Sequence, residues 1–200
     1  MSASEFLAWD DGTDTRYELI DGVPWAMAPR SVDHGRIVGN AYGIVEAALR
    51  DRRPCRAVPG GGLRIEEGPP GRVYTPDLLM TCEPIEGRHV CEAAPLVVEV
   101  LSPSTKSYDK RFKLPRYSAL PFVEEIWLVD SRVQLAQVWR RLEGSWRDGL
   151  PIIGRGSFTS LVLGFEVTID AIYALTTLEA ASPEDGAEDP GAHHADRNDA

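Results

Sequence analysis

The chain has no long apolar run. No stretch approaches the ~20 residues that a membrane-crossing helix needs, so a membrane protein of the helical kind is not expected. Its first residues, MSASEFLAWDDGTD, lack both a basic region and an apolar core. That argues against a secretory leader and points to the cytoplasm. Cysteine is scarce. Cys55, Cys82 and Cys91 are odd in number and show no close metal-type spacing, so three reduced thiols are expected. Positive charge is also in deficit, with a formal net charge of -10 over 200 residues. Seven carboxylates from Glu179 onward face one base, Arg197, which leaves -6 on the tail and -4 on the rest. A protein that coats DNA is usually basic. A mildly acidic body can still engage phosphates through a local patch or a metal. The triplet Gly60-Gly61-Gly62 lacks the following Lys-Ser/Thr and the opening helix of a phosphate loop. A kinked or bulged strand within Arg56 to Glu67 is expected instead.

The elements that are there read as one α/β domain over residues 1–178, followed by a disordered acidic tail over 179–200. Ser2 or Ser4 caps a short helix through Trp9. Arg16 to Ile20 and Val23 to Met27 form a hairpin around Asp21-Gly22, and Pro24 puts the return strand near an edge. Glu18 points away from Tyr17 and Leu19, toward solvent or a shared site. Ser31 caps a helix to about Arg50, in which Gly35, Gly39 and Gly43 recur along one face and would allow close packing. His34, in its first turn, is expected to face solvent or to be hydrogen-bonded rather than to serve a site. A strand headed by Asp77 and another carrying Glu99 follow. Next comes a helix from Lys106 to Leu120, which Pro115 should kink or end early. Strands Glu124 to Asp130 and Val133 to Arg140 form a second hairpin, with short strands after it, a last strand to Ile169 and a helix to Leu178. In the tail, His193 and His194 read as solvated.

Glu99 lies inside the apolar run Leu96 to Leu101, and Asp77 follows Pro76 at the head of another. A buried carboxylate is costly unless it is paired or binds a cation. Two inward carboxylates on adjacent strands would hold a hard cation, Mg²⁺ or Mn²⁺. Phosphodiester hydrolysis needs charge neutralisation at phosphate and an oriented water, which such an ion and a nearby lysine can supply. Pro76-Asp77 with Glu99 22 residues on resembles the PD-(D/E)-x-K nuclease signature. The lysine two residues after Glu99 is missing, since that position is Leu101. Among Lys106, Lys110 and Lys113, the last is preferred, because Asp109, Lys113 and Tyr117 are spaced by four and share a helix face.

Together RYELIDGVPWAMAP, YTPDLLM, PLVVEVLSPST, then Asp109, Lys113 and Tyr117, and EEIWLVD resemble the Uma-type family. That domain family, once of unknown function, is grouped with the PD-(D/E)-x-K restriction endonucleases. The resemblance spans roughly residues 3 to 175. It implies a restriction-endonuclease-like core with a central mixed β-sheet flanked by helices, a divalent metal, and a lysine moved from strand to helix. Position by position, Asp77 and Glu99 match the metal carboxylates, Lys113 the moved lysine, and Glu18 a further acid of the cluster. The implied activity is metal-dependent endonucleolytic cleavage of nucleic acid, DNA first. The alternative is an inactive nuclease fold used as a dimeric interaction module, with the hairpin around Trp127 and Trp139 as its interface.

Overall fold

The structure, a computed structural model, describes residues 1–84 and 90–180. Most of the expected tail, with His193 and His194, lies outside the described residues, as does the middle of the loop before Glu99.

Helix α1 (Ala3–Leu7) is held by a capping box in which the Ser2 side chain accepts from Glu5 N and the Glu5 side chain accepts from Ser2 N. Strands β1 (Tyr17–Ile20) and β2 (Val23–Ala26) form the expected hairpin. Asp21 and Gly22 take φ of 47° and 81°, the left-handed pair that a two-residue turn matching strand twist requires. Helix α2 (Val32–Ala48) starts at Ser31, whose hydroxyl accepts from His34 N. Its buried stripe is His34, Ile37, Ala41 and Val45. Gly35, Gly39 and Gly43 lie on the opposite, exposed side, where an added Cβ would meet nothing within 4 Å. The close packing expected of them does not occur, because the branched side chains of the other face win the sheet.

The segment expected to be one bulged strand is two strands. β3 (Arg56–Pro59) and β4 (Gly62–Glu66) belong to different sheets, and Gly60, at φ 58°, turns the chain between them. β5 (Arg72–Tyr74) and β6 (Leu78–Thr81) divide in the same way across Thr75-Pro76-Asp77. β7 (Val90–Cys91) and β8 (Leu96–Leu101) follow. Then come α3 (Lys106–Tyr108), a π-helical turn (Asp109–Lys113) and α4 (Leu114–Ala119). Pro115 neither stops nor sharply ends this helix. A proline interior to an α-helix would leave a carbonyl one turn back without its donor. The widened turn just before it, in which Leu114 N donates to Asp109 O, absorbs that fault. β9 (Glu125–Asp130), β10 (Leu135–Leu142), β11 (Ser145–Asp148), β12 (Ile152–Ile153), β13 (Ser157–Ser160), β14 (Phe165–Thr168) and α5 (Ile169–Ile172) follow. The last helix is shorter than expected. Glu179 and Ala180 run beside Gln134, which donates to Glu179 O at 2.8 Å.

The central mixed sheet has the order β11-β10-β9-β8-β6-β3, with β12 beside β10. β8 and β9 are parallel, so the chain between them must cross over, and the α3–α4 helix is that crossover. It covers one face of the sheet through Leu114 and Tyr117, packed with Val97, Leu101 and Leu128. α2 covers the other, through Ile37, Ala41 and Val45 on Val98, Val100 and Trp127. A five-stranded sheet, β2-β1-β5-β4-β7, adjoins the central one.

Two further expectations are corrected. Cys55 and Cys82 form a disulfide. The β3–β6 register that pairs Arg56 with Thr81 sets them opposite each other, which sequence spacing does not reveal. Trp127 is fully buried, edge-on to Phe158 at 5.1 Å, and Trp139 is half-buried, so that hairpin is core rather than a free interface. Among the described residues no helix is long and apolar enough to cross a membrane.

Candidate active site

β6 and β8 pair with Leu78 opposite Val98, which brings Asp77 level with Glu99. Along β8, alternation puts Glu99 on the face of Val97 and Leu101, beneath the crossover helix. β1 enters from the neighbouring sheet and presents Glu18. The four residues expected at the site, Asp77, Glu99, Lys113 and Glu18, all line one cavity of about 940 Å³. Each is at most 7% exposed.

Lys113 is the hub. Its Nζ donates to Glu18 Oε1 at 2.8 Å and Glu99 Oε1 at 3.3 Å, stands 3.7 Å from Asp109 Oδ1, and lies 5.6 Å over the Tyr74 ring. Asp109, Lys113 and Tyr117 do share a face. Tyr117 closes the set by donating to Glu99 Oε1 at 2.7 Å. Glu18 Oε1 also accepts from Thr75 N at 2.7 Å. Asp77 is held differently: Arg30 Nη2 at 2.7 Å and His34 Nε2 at 3.0 Å meet Oδ1, while Val100 N donates to Oδ2 at 2.7 Å.

Four buried carboxylates therefore face one ammonium and one guanidinium. Burial pushes the Glu99 carboxyl up, to about 8, against the pull of Lys113 and with help from Asp77, Asp109 and Glu18. Asp109 is raised for the same first reason. Burial alone would lower Lys113, but Glu99, Glu18 and Asp109 outweigh it and hold the ammonium charged. Burial and the nearby Glu99 push the Tyr117 phenol well up, so it stays a donor.

This imbalance bears on a metal. Carboxylate oxygens are the donors Mg²⁺ and Mn²⁺ take, and the cluster is short of positive charge, so the donor chemistry fits. The present arrangement is closed over by its own cations. Among the described residues, no three His, Cys, Asp or Glu side chains converge at metal-binding spacing.

Arg30 and His34 are the partners that sequence reasoning missed. His34 had one available signal: it falls on the same buried stripe as Ile37, Ala41 and Val45. Arg30, in the loop before α2, had none.

The family model described as "Putative restriction endonuclease", Uma2, matches residues 3–170. Two proteins of Synechocystis sp., both described as uncharacterized, are similar. Slr1290 is 28% identical over 153 residues, 73% of this chain and 77% of its own length. Sll1609 is 26% identical over 134 residues, 65% and 75% respectively. A crystal structure from Anabaena variabilis, described as "a putative nuclease belonging to DUF820", matches with a TM-score of 0.63 at 17% identity. It covers 86% of this chain and 97% of its own.

Proposed function

The chain belongs to the Uma2 family, and from that membership and the cavity's geometry we propose that it is a metal-dependent nuclease hydrolysing phosphodiester bonds in nucleic acid, DNA in the first place. The observation that carries the reading is the buried Lys113. Its Nζ, carried by the crossover helix, stands between Glu18 of one sheet and Glu99 of the other, which supports reading it as the lysine of the PD-(D/E)-x-K pattern. The carboxyl ends of β8 and of its parallel neighbour open toward this cavity, where open α/β sheets tend to hold ligands.

In this reading Asp77 and Glu99 would hold Mg²⁺ or Mn²⁺, which when bound supplies Lewis-acid neutralisation of phosphate charge. The chain's own groups do the rest. Lys113, kept protonated by its three acids, stabilises negative charge on phosphoryl oxygens and orients water. Tyr117 and Lys113 both donate to Glu99 Oε1 and so fix the carboxyl. Glu18 positions Lys113. Arg30, which pairs with Asp77 here, would be free to meet phosphate if that carboxylate held an ion.

Asp77→Ala is the test. Purified wild-type protein with Mg²⁺ or Mn²⁺ should nick plasmid DNA or cut oligonucleotides, and the variant should lose at least a hundredfold of that rate while keeping its circular dichroism spectrum. Wild-type protein that leaves varied DNA and RNA substrates intact with either ion refutes the reading.

A further inference from the structure

Trp25 has no part in the site as described, yet it belongs to the same cavity. β2 is an edge strand, and the Trp25 side chain is 59% exposed, far more than an indole usually is. The hairpin register pairs Trp25 directly with Glu18. Directly opposed residues of an antiparallel pair share a face, so the indole stands one strand away from the carboxylate that holds Lys113. Ile20 and Val23, the next such pair, extend the apolar strip, and Val23 is 54% exposed. Arg132, just after β9, lines the same cavity. Among the described residues its guanidinium makes no ion pair or hydrogen bond.

The cavity thus offers a flat aromatic face on the strand beside Glu18 and a guanidinium just after the strand beside Glu99. A planar aromatic group joined to a phosphodiester satisfies both. Base–aromatic stacking is indifferent to sequence because every base has a π-face. A continuous duplex hides those faces within its stack. It also carries one negative charge per ≈1.7 Å of axis, which a chain of net charge -10 and the acids Asp33, Asp77 and Asp109 in this cavity repel. A single strand carries about half that charge density and exposes its bases.

We propose that Trp25 stacks on a nucleobase of an unpaired strand while Arg132 holds a neighbouring phosphodiester, so that the site takes single-stranded or locally opened nucleic acid in preference to continuous duplex. This rests on the nuclease reading and names its substrate class.

The test is fluorescence anisotropy with a dye-labelled 12-residue oligothymidylate, the same strand with one abasic residue moved along it, and a matched duplex. Ca²⁺ replaces Mg²⁺ so that the strands stay whole. The single strand should bind at least tenfold more tightly than the duplex. Trp25→Ala should weaken single-strand binding from about fivefold to over a hundredfold, the range for loss of one stacked base, and Trp25→Phe should restore most of it. At one position the abasic residue should cost wild-type protein the same factor and cost Trp25→Ala nothing more, which a merely structural tryptophan would not produce. Arg132→Ala should lower the salt dependence by about one phosphate contact. Equal affinity for duplex, or no effect of Trp25→Ala, overturns the inference. If the wild-type protein then still cleaves DNA with Mn²⁺, the nuclease reading stands. Absence of both binding and cleavage removes the two together.

Discussion

Glu99 couples the site to stability through its proton. Burial, which disfavours the charged form, pushes its carboxyl up from an ordinary 4.5 to about 8 in the folded chain. Below about pH 4.5 both folded and unfolded chains carry the proton. Between 4.5 and 8 the unfolded chain releases it and the folded chain keeps it, so unfolding becomes easier as pH rises. Asp109 acts in the same sense. In EDTA, urea melts should therefore show stability falling between pH 5 and 8.5 by an amount on the order of a few kcal/mol. Glu99→Gln should flatten that slope. A slope that persists unchanged in the variant would assign the effect elsewhere. Glu125 is a useful contrast, being equally buried but fully used by structure. It accepts from Trp127 Nε1 at 2.5 Å and from Leu161 N at 2.8 Å, away from the cavity.

Two elements set the site's shape, and each depends on a local backbone exception. The β1–β2 hairpin turns on Gly22, whose N donates to Gly71 O and whose missing Cβ leaves room for Met1 at 3.0 Å and Pro70 at 3.2 Å. Gly22→Ala combines a left-handed backbone with that contact. It should cost about 1–2 kcal/mol in chemical denaturation, and nuclease activity should fall because Glu18 rides on the hairpin. The crossover helix depends on its π-helical turn. The Asp109, Lys113 and Tyr117 face was legible because spacing by four survives one widened turn. That Pro115 would be tolerated was not legible, since it depends on which hydrogen bonds the helix chooses to lengthen. Carboxylates inside apolar runs pointed to Asp77 and Glu99 because their burial demands a partner. The partners themselves were hidden: His34 is 43 residues from Asp77, and no local rule links them.

At the scale of the whole molecule, the α/β class follows from strand and helix order, the restriction-endonuclease-like core was implied by the family resemblance alone, and the Anabaena structure shares the fold. The division of strands between sheets was not readable, since Gly60 and the Thr75 to Asp77 segment change sheets without a break in apolar pattern. The disulfide was hidden for a related reason, because its cysteines are 27 residues apart and meet only through register. Reducing it, or replacing both cysteines by alanine, should lower stability by about 3 kcal/mol. Thiol titration in denaturant should find two more thiols after reduction than before. Lys113 has a consequence at this scale too. Its nitrogen is shared between Glu18 on the smaller sheet and Glu99 on the central one, at 2.8 and 3.3 Å. Any rocking of one sheet on the other must change which oxygen that nitrogen favours. The ¹⁵N resonance of a single labelled side chain would then serve as a gauge of interlayer motion, readable before any bond is broken.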